Sequence, residues 1–222
     1  MADSFVRLSP SSLNLFLDCP RCFYLEKVEG IKRPETPAST LPSGIDNTLK
    51  KYFDYWRQKD ALPPLLQGKL PGRLVSEQAL IAKFRSRSFE YYDSAVDAHF
   101  AGILDDALIL EDGSIVPIDN KTRGFPPQEP HESHLNQMSG YTLLLLENGF
   151  QTKNLAYLIY WFFNHKEMDL ENPMAFNITV EEVKTDPENI RRVFHQAVKI
   201  LKGPIPPVNS LCTFCAYRQI GK

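Results

Sequence analysis

The sequence predicts an α/β fold: a mixed central sheet with helices on its faces. Three observations carry that expectation. After Asn154, residues 154–163 are almost entirely apolar, as a strand buried on both faces should be. Residues 187–201 are amphipathic, with Ile190, Val193, Phe194 and Ala197 at helical spacing. The elements run helix, β-meander, helix, strand and helix, an order that suits a mixed sheet covered by helices.

The elements follow in order. Ser9 can cap a helix and Pro10 suits its first position, with Leu13, Phe16 and Leu17 on one face. Asp18 to Pro20 interrupts, and residues 21–28 resume as helix. Residues 30–44 contain Gly30, Pro34, Pro37, Pro42 and Gly44 and are expected to form a loop. Leu49, Tyr52, Phe53 and Trp56 repeat at helical spacing across residues 45–56. Residues 60–72, rich in Pro and Gly, should be irregular. Residues 89–100, 101–110 and 114–121 read as successive strands, with Gly113 in the turn between the last two. Residues 133–148 form a helix ending at Gly149. Strands at 154–163 and 174–180 and the helix at 187–201 complete the order. Pro204, Pro206 and Pro207 then lead into the last cysteines.

With 222 residues and 43% apolar content, the chain is long enough for one domain with a full core. We expect a single domain over 1–222. No apolar run approaches the roughly 18 residues of a membrane helix. The first residues lack the layout of a secretory signal. The expectation is a cytoplasmic protein with no membrane partner, whose thiols stay reduced. A net charge of −2 argues against coating nucleic acid by bulk electrostatics, though not against a local grip.

Two groups of residues carry chemistry. Cys19 and Cys22 near one end, and Cys212 and Cys215 near the other, each form a C-x-x-C pair. In a reducing compartment such pairs favour metal over disulfide, and two of them suit tetrahedral zinc. Residues 1–30 and 203–222 would then form a cysteine-clasped subregion whose closed ligand set makes it structural. In the middle, Asp119 and Lys121 fall on one face of a strand, two residues apart. Asp105 lies on the hairpin partner, where Asp106 competes with it. Paired carboxylates beside a lysine suit metal-dependent phosphodiester hydrolysis: hard oxygens for the ion, an ammonium to orient water. Gln137 and Tyr141 share a helix face. His99, His131, His134, His165 and His195 have no ligand spacing and are read as structural or surface residues.

The motifs Gly102-Ile103-Leu104-Asp105, Asp119-Asn120-Lys121-Thr122 and Gln137-Met138-Ser139-Gly140-Tyr141 resemble the RecB-like branch of the PD-(D/E)XK nuclease superfamily. So do Leu8-Ser9-Pro10-Ser11-Ser12-Leu13 and Cys19-Pro20-Arg21-Cys22-Phe23-Tyr24-Leu25, and the resemblance spans nearly the whole chain in the same order. It implies a restriction-endonuclease-like sheet and a DNA nuclease acting on single strands or ends. Asp105, Asp119 and the Asn120 carbonyl would hold Mg²⁺ or Mn²⁺, with Lys121, Gln137 and Tyr141 completing the catalytic set. The nearest likeness is to the iron–sulfur members, CRISPR-associated RecB-like exonucleases and AddB-type nuclease domains. That implies a 4Fe-4S cluster on Cys19, Cys22, Cys212 and Cys215, and CRISPR or recombination proteins as partners. Those members place one cysteine early and three late, whereas this chain divides them two and two, which also suits zinc. The branch often carries a metal-binding His four residues after a Gly. Here Gly44 is followed by Thr48 at that position, which leaves two expectations: Asp46 as a substitute oxygen ligand, or a metal held by fewer protein ligands. Lys50, Lys51, Arg85, Arg87 and Arg123 are candidate contacts to a nucleic-acid backbone. The alternative is a catalytically inactive nuclease fold that binds DNA or a partner.

Overall fold

A computed structural model of the protein describes residues 6–34, 40–163, 171 and 175–219. Strand β1 (Arg7–Leu8) leads into α1 (Pro10–Asp18) and α2 (Pro20–Lys27). Helix α3 (Thr40–Gln58), β2 (Arg73–Leu74) and α4 (Gln78–Phe84) follow. The meander is β3 (Glu90–Asp93), β4 (Ala98–Ala101), β5 (Asp106–Ile109) and β6 (Ile115–Arg123). Helix α5 (Glu132–Glu147) crosses to β7 (Leu155–Phe162), and β8 (Asn177–Lys184), α6 (Pro187–Leu201) and α7 (Thr213–Tyr217) complete the chain.

The main sheet has five strands in the order β2-β5-β6-β7-β8, and β1-β4-β3 form a smaller one. Only β6 and β7 of the main sheet run parallel, because the α5 crossover joins them; its other neighbours are antiparallel. The expected mixed sheet flanked by helices is present. Strand β7 shows why its sequence is so apolar. Ala156, Leu158, Tyr160 and Phe162 join the core shared with α1, α5 and α6, while Tyr157, Ile159 and Trp161 join the core under α3. Each face receives alternate residues, so no position on the strand is left for a polar side chain.

Local signals were accurate where the chain punctuates itself. Ser9 caps α1, its hydroxyl accepting from the Ser12 N–H, with Pro10 at the first turn. Gly113 turns the β5–β6 hairpin at φ 81°. Helix α6 matches its expected bounds.

Several expectations need correction. Residues 89–100 are not one strand: β3 and β4 form a hairpin, with Asp97 at positive φ in the turn. Residues 101–110 are interrupted too. The backbone leaves the sheet after Ala101, and β5 starts only at Asp106, so Asp105 stands just ahead of a strand instead of in its middle. Helix α3 begins at Thr40, so Pro42 and Gly44 lie inside it. A proline is tolerated there because the first helical N–H groups have no intrahelical acceptor to lose. The last strand is displaced, running Asn177–Lys184; Met174, where it was expected to start, lies outside the described residues, as do 35–39 of the expected loop. No helix among the described residues is long and apolar enough to cross a membrane.

One break in pairing positions the chemistry. Pairing between β5 and β6 stops at Asp106 and Ile118, whereas pairing of β6 with β7 continues to Arg123. Beyond Ile118, β6 has left its partner on the β5 side. A notch opens there between β6 and the first turns of α3.

Candidate active site and metal centre

The alternation of β6 sends Val116 and Ile118 into the core under α3. Asn120 follows them, its side-chain oxygen accepting a hydrogen bond from the Trp161 indole at 2.8 Å. Asp119 and Lys121 therefore turn to the α5 face, where Lys121 Nζ lies 2.7 Å from Asp119 Oδ2. The same ammonium donates to Gln137 Oε1 at 2.7 Å, and Gln137 Nε2 donates to the Tyr141 hydroxyl at 2.7 Å. Gln137 and Tyr141 are one helical turn apart, so a single face of α5 presents both. Of the five residues the sequence predicted as catalytic, Asp119, Lys121, Gln137 and Tyr141 form one connected chain, and Asp105 is joined to Lys50 instead.

Asp119 is 2% exposed. Its Oδ2 is buried with no hydrogen-bond donor aligned on it, the Lys121 ammonium being close but out of line. Burial is the main reason its carboxyl is pushed up to about 6; Lys121 opposes the shift, and the charges of Asp105 and Asp46 add to it. Burial and Asp119 likewise push the Tyr141 hydroxyl well above its ordinary range, so it stays neutral.

Asp105 and Asp46 meet at Lys50. The Lys50 ammonium is 2.7 Å from Asp46 Oδ2, one turn back on α3, and 3.3 Å from Asp105 Oδ1. It thus stands between the two carboxylates; burial works to lower its pKa, but the pull of Asp46 and Asp105 outweighs it and raises it. Thr48, where the branch often has His, turns back to donate to the Gly44 carbonyl at 2.8 Å. Across the notch, α3 and the Asn120, Lys121 and Thr122 stretch of β6 line a shallow cleft of about 410 Å³ that includes Asp46.

Asp105 and Asp106 differ in their contacts. Asp106 is 1% exposed and accepts from both Arg57 and Arg85, which also share Asp54. It anchors the start of β5, while Asp105 pairs with Lys50. Arg85 is thereby corrected as a candidate nucleic-acid contact: two carboxylates and the Asp105 carbonyl occupy it. Arg123 sits over the Tyr160 ring, 5.8 Å from its centroid. Arg87 accepts through its carbonyl from Arg7, in a second cleft lined by Arg7, Lys27 and Arg87. His134 donates to or accepts from the Tyr160 hydroxyl at 3.2 Å, and burial and nearby Lys121 pull it down to about 4.

The close approach of α5 to this region depends on Gly102. A Cβ there would lie 2.7 Å from Leu144 Cδ1 and 3.1 Å from Tyr141 Cε1. The glycine three residues before Asp105 is a packing requirement of the helix that carries Gln137 and Tyr141.

Beyond the effect of burial, the charges of Asp105 and Asp46 reach Asp119 and raise its proton affinity, but among the described residues only the four cysteines bring three or more ligand atoms together as one set. The second centre is of soft donors. Cys19, Cys22, Cys212 and Cys215 are buried, free of disulfides, and their sulfurs all lie within 4.8 Å of one another. Each pair opens a helix, Cys19 capping α2 and Cys212 capping α7. Burial works to raise the Cys212 thiol, but the N–H groups of Cys215 and Phe214 outweigh it and bring it to about 7.

The sequence contained but did not advertise some partners. Lys50, expected as a nucleic-acid contact, is instead occupied by Asp46 and Asp105, and the Asp105 partner comes from a distant part of the chain. Arg57, Arg33 and Arg218 carried no signal, since their acceptors come from distant parts of the chain.

Comparison with known proteins agrees with this architecture. The family model described as the PD-(D/E)XK nuclease superfamily matches residues 7–220, and the chain belongs to that superfamily. A search of curated protein sequences finds no match. Among solved structures, the crystal structure of SSO0001 is similar with a TM-score of 0.50 and 15% identity, covering 99% of this chain and 87% of that one. At that identity the likeness concerns the fold alone.

Proposed function

We propose, taking membership of the PD-(D/E)XK superfamily as the premise, that the chain is a metal-dependent deoxyribonuclease of the RecB-like branch, acting on single strands or ends. The observation that carries this reading is Lys121, held between Asp119 and Gln137 at 2.7 Å each on the open stretch of β6. Asp105, Asp119 and the Asn120 carbonyl would hold Mg²⁺ or Mn²⁺, with Asp46 as a further oxygen donor in place of the missing His. When bound, that ion supplies positive charge at the phosphoryl oxygens and acidifies water at neutral pH.

The protein's own groups do the rest. Lys121 orients the attacking water and offsets charge that develops on the phosphate. Gln137 accepts from the ammonium and so fixes its direction. Tyr141, kept neutral by burial, holds the Gln137 amide in turn. Lys51, Arg87 and Arg123 are available to a DNA backbone, where their contacts would position without reading sequence. The setting we assign is cytoplasmic DNA repair and recombination or CRISPR adaptation. The four cysteines act as a structural clasp between 1–30 and 203–222 of a single domain.

A second reading has one observation in its favour. Lys50 fills the space between Asp46 and Asp105, and Thr48 offers no imidazole, so the fold could bind DNA or a partner without cutting. A cleavage assay with Mg²⁺ and with Mn²⁺ on end-labelled single- and double-stranded DNA separates the two. Cleavage by the wild type, lost in Lys121→Gln and Asp119→Asn with folding intact, is the expected result. Equal inertness of all three proteins with both metals would reject the enzyme reading.

A further inference from the structure

We infer that Cys19, Cys22, Cys212 and Cys215 hold one tetrahedral zinc ion and not a 4Fe-4S cluster, with Arg33 and Arg218 as crossed counter-charges. The argument begins with spacing. The sulfurs of Cys19 and Cys215 are 3.7 Å apart, those of Cys22 and Cys212 3.7 Å, and those of Cys22 and Cys215 3.9 Å. A zinc ion bonded to four sulfurs at about 2.3 Å sets them on the corners of a tetrahedron with edges of about 3.8 Å. A cubane cluster puts four irons between its thiolates and spreads them to roughly 6 Å. Three of the six edges match those around a single ion, and even the widest pair of these sulfurs is within 4.8 Å, well short of the cubane spread.

The surroundings resist expansion. Cys19 and Cys22 are 0% and 1% exposed, and Leu15 and Phe214 pack against the group. Both halves have a similar local build, a C-x-x-C whose first cysteine stands at the N-cap position of a short helix. On the first, the Cys22 N–H points to Cys19 Sγ at 3.5 Å. Spreading the sulfurs would require the two helix starts to separate.

The charges are arranged for a dianionic centre. Four thiolates around Zn²⁺ carry a net charge of about −2, which burial makes costly unless it is matched. Arg33, from the first half, donates to Cys212 Sγ at 3.8 Å and lies over the Phe214 ring at 4.4 Å. Arg218, from the second half, donates to Cys22 Sγ at 3.5 Å and to the carbonyls of Ile31 and Lys32. Each half of the clasp thus supplies the cation for a thiolate of the other. An oxidised cluster carries a similar charge, so the arginines fit either group; the sulfur spacing is what discriminates.

The test needs no variant to begin. The full chain is produced in iron-supplemented medium, purified without oxygen, and assayed for zinc, iron and acid-labile sulfide per chain, with its visible spectrum. About one zinc per chain, no labile sulfide and no broad absorption near ~400 nm is the expected result. Iron and sulfide in equal amounts with that absorption would overturn the inference, as would a metal-free protein with its thiols oxidised. Replacing zinc by Co²⁺ should give the intense visible bands of tetrahedral thiolate-bound cobalt. For the arginines, Arg33→Ala and Arg218→Ala should each lose zinc to a colorimetric chelator about tenfold faster, with Arg→Lys partly restoring retention. Unchanged loss in both alanine variants would remove the counter-charge part of the inference. Since the readout is metal content, a failure of nuclease activity leaves it unaffected.

Discussion

At Asp119, burial and the charges of Asp105 and Asp46 all favour the protonated carboxyl, and Lys121 only partly opposes them. A carboxyl whose folded pKa stands at about 6, above its unfolded value, contributes stability in full below about pH 4, and loses that contribution as pH rises through 6. At neutral pH the charged form weakens the fold by up to about 3 kcal/mol when no divalent ion is bound. Asp119→Asn should therefore be inactive yet more stable than wild type at pH 8 in buffer free of Mg²⁺ and Mn²⁺. Thermal melts from pH 5 to 8 would show a falling wild-type midpoint and a flatter one for the variant; parallel curves would reject this account. Lys50 gives a second residue-scale expectation. An incoming cation must displace its ammonium from between Asp46 and Asp105, so Lys50→Met should lower the Mn²⁺ concentration for half-maximal cleavage roughly three- to tenfold. A higher Mn²⁺ requirement would mean the lysine helps binding instead.

Among the elements, β5 shows most clearly what decides a boundary. Residues 101–110 are apolar on both sides of Asp105-Asp106, and no alternation shows where a strand would stop or start. What starts the strand at Asp106 is the buried ion-pair network with Arg57 from α3 and Arg85 beyond α4. Leaving that network one partner short strands a buried carboxylate. Arg57→Ala should cost about 3–5 kcal/mol in urea unfolding, far more than removal of an exposed arginine. A loss below about 1 kcal/mol would mean that water replaces the guanidinium. Gly102→Ala should act at a distance: pushing Tyr141 and Leu144 away displaces the face of α5 that holds Lys121. Its cleavage rate should fall more than its stability does, as comparison of kcat with the unfolding midpoint would show. The same contrast explains what was legible beforehand. Caps, turns and the doubly buried β7 are written in neighbouring residues, and so is the Asp119–Lys121 spacing. The break before β5, the bridging role of Lys50 and the arginines around the thiols depend on partners far along the chain, which a single sequence does not pair.

For the whole molecule the clasp matters most. Cys22 and Cys212 are 190 positions apart, and a link across that span removes loop entropy from the unfolded chain worth about 5 kcal/mol. Stripping the clasp of metal should lower the urea midpoint by a corresponding amount, and Cys19→Ser should do the same; an unchanged midpoint in both would deny the clasp a structural role. The half-open β6 has a cost of another kind. From Asp119 to Arg123 the strand presents one side without a β5 partner, and an unpaired edge is a template on which other chains can add as strands. Lys121 and Arg123 put positive charge along it, which is how sheet edges discourage such addition. On this account the lysine assigned to chemistry would also oppose self-association. A Lys121→Ala protein would be expected to aggregate as well as to lose activity, and Lys121→Gln or Lys121→Arg is the cleaner probe of the reaction.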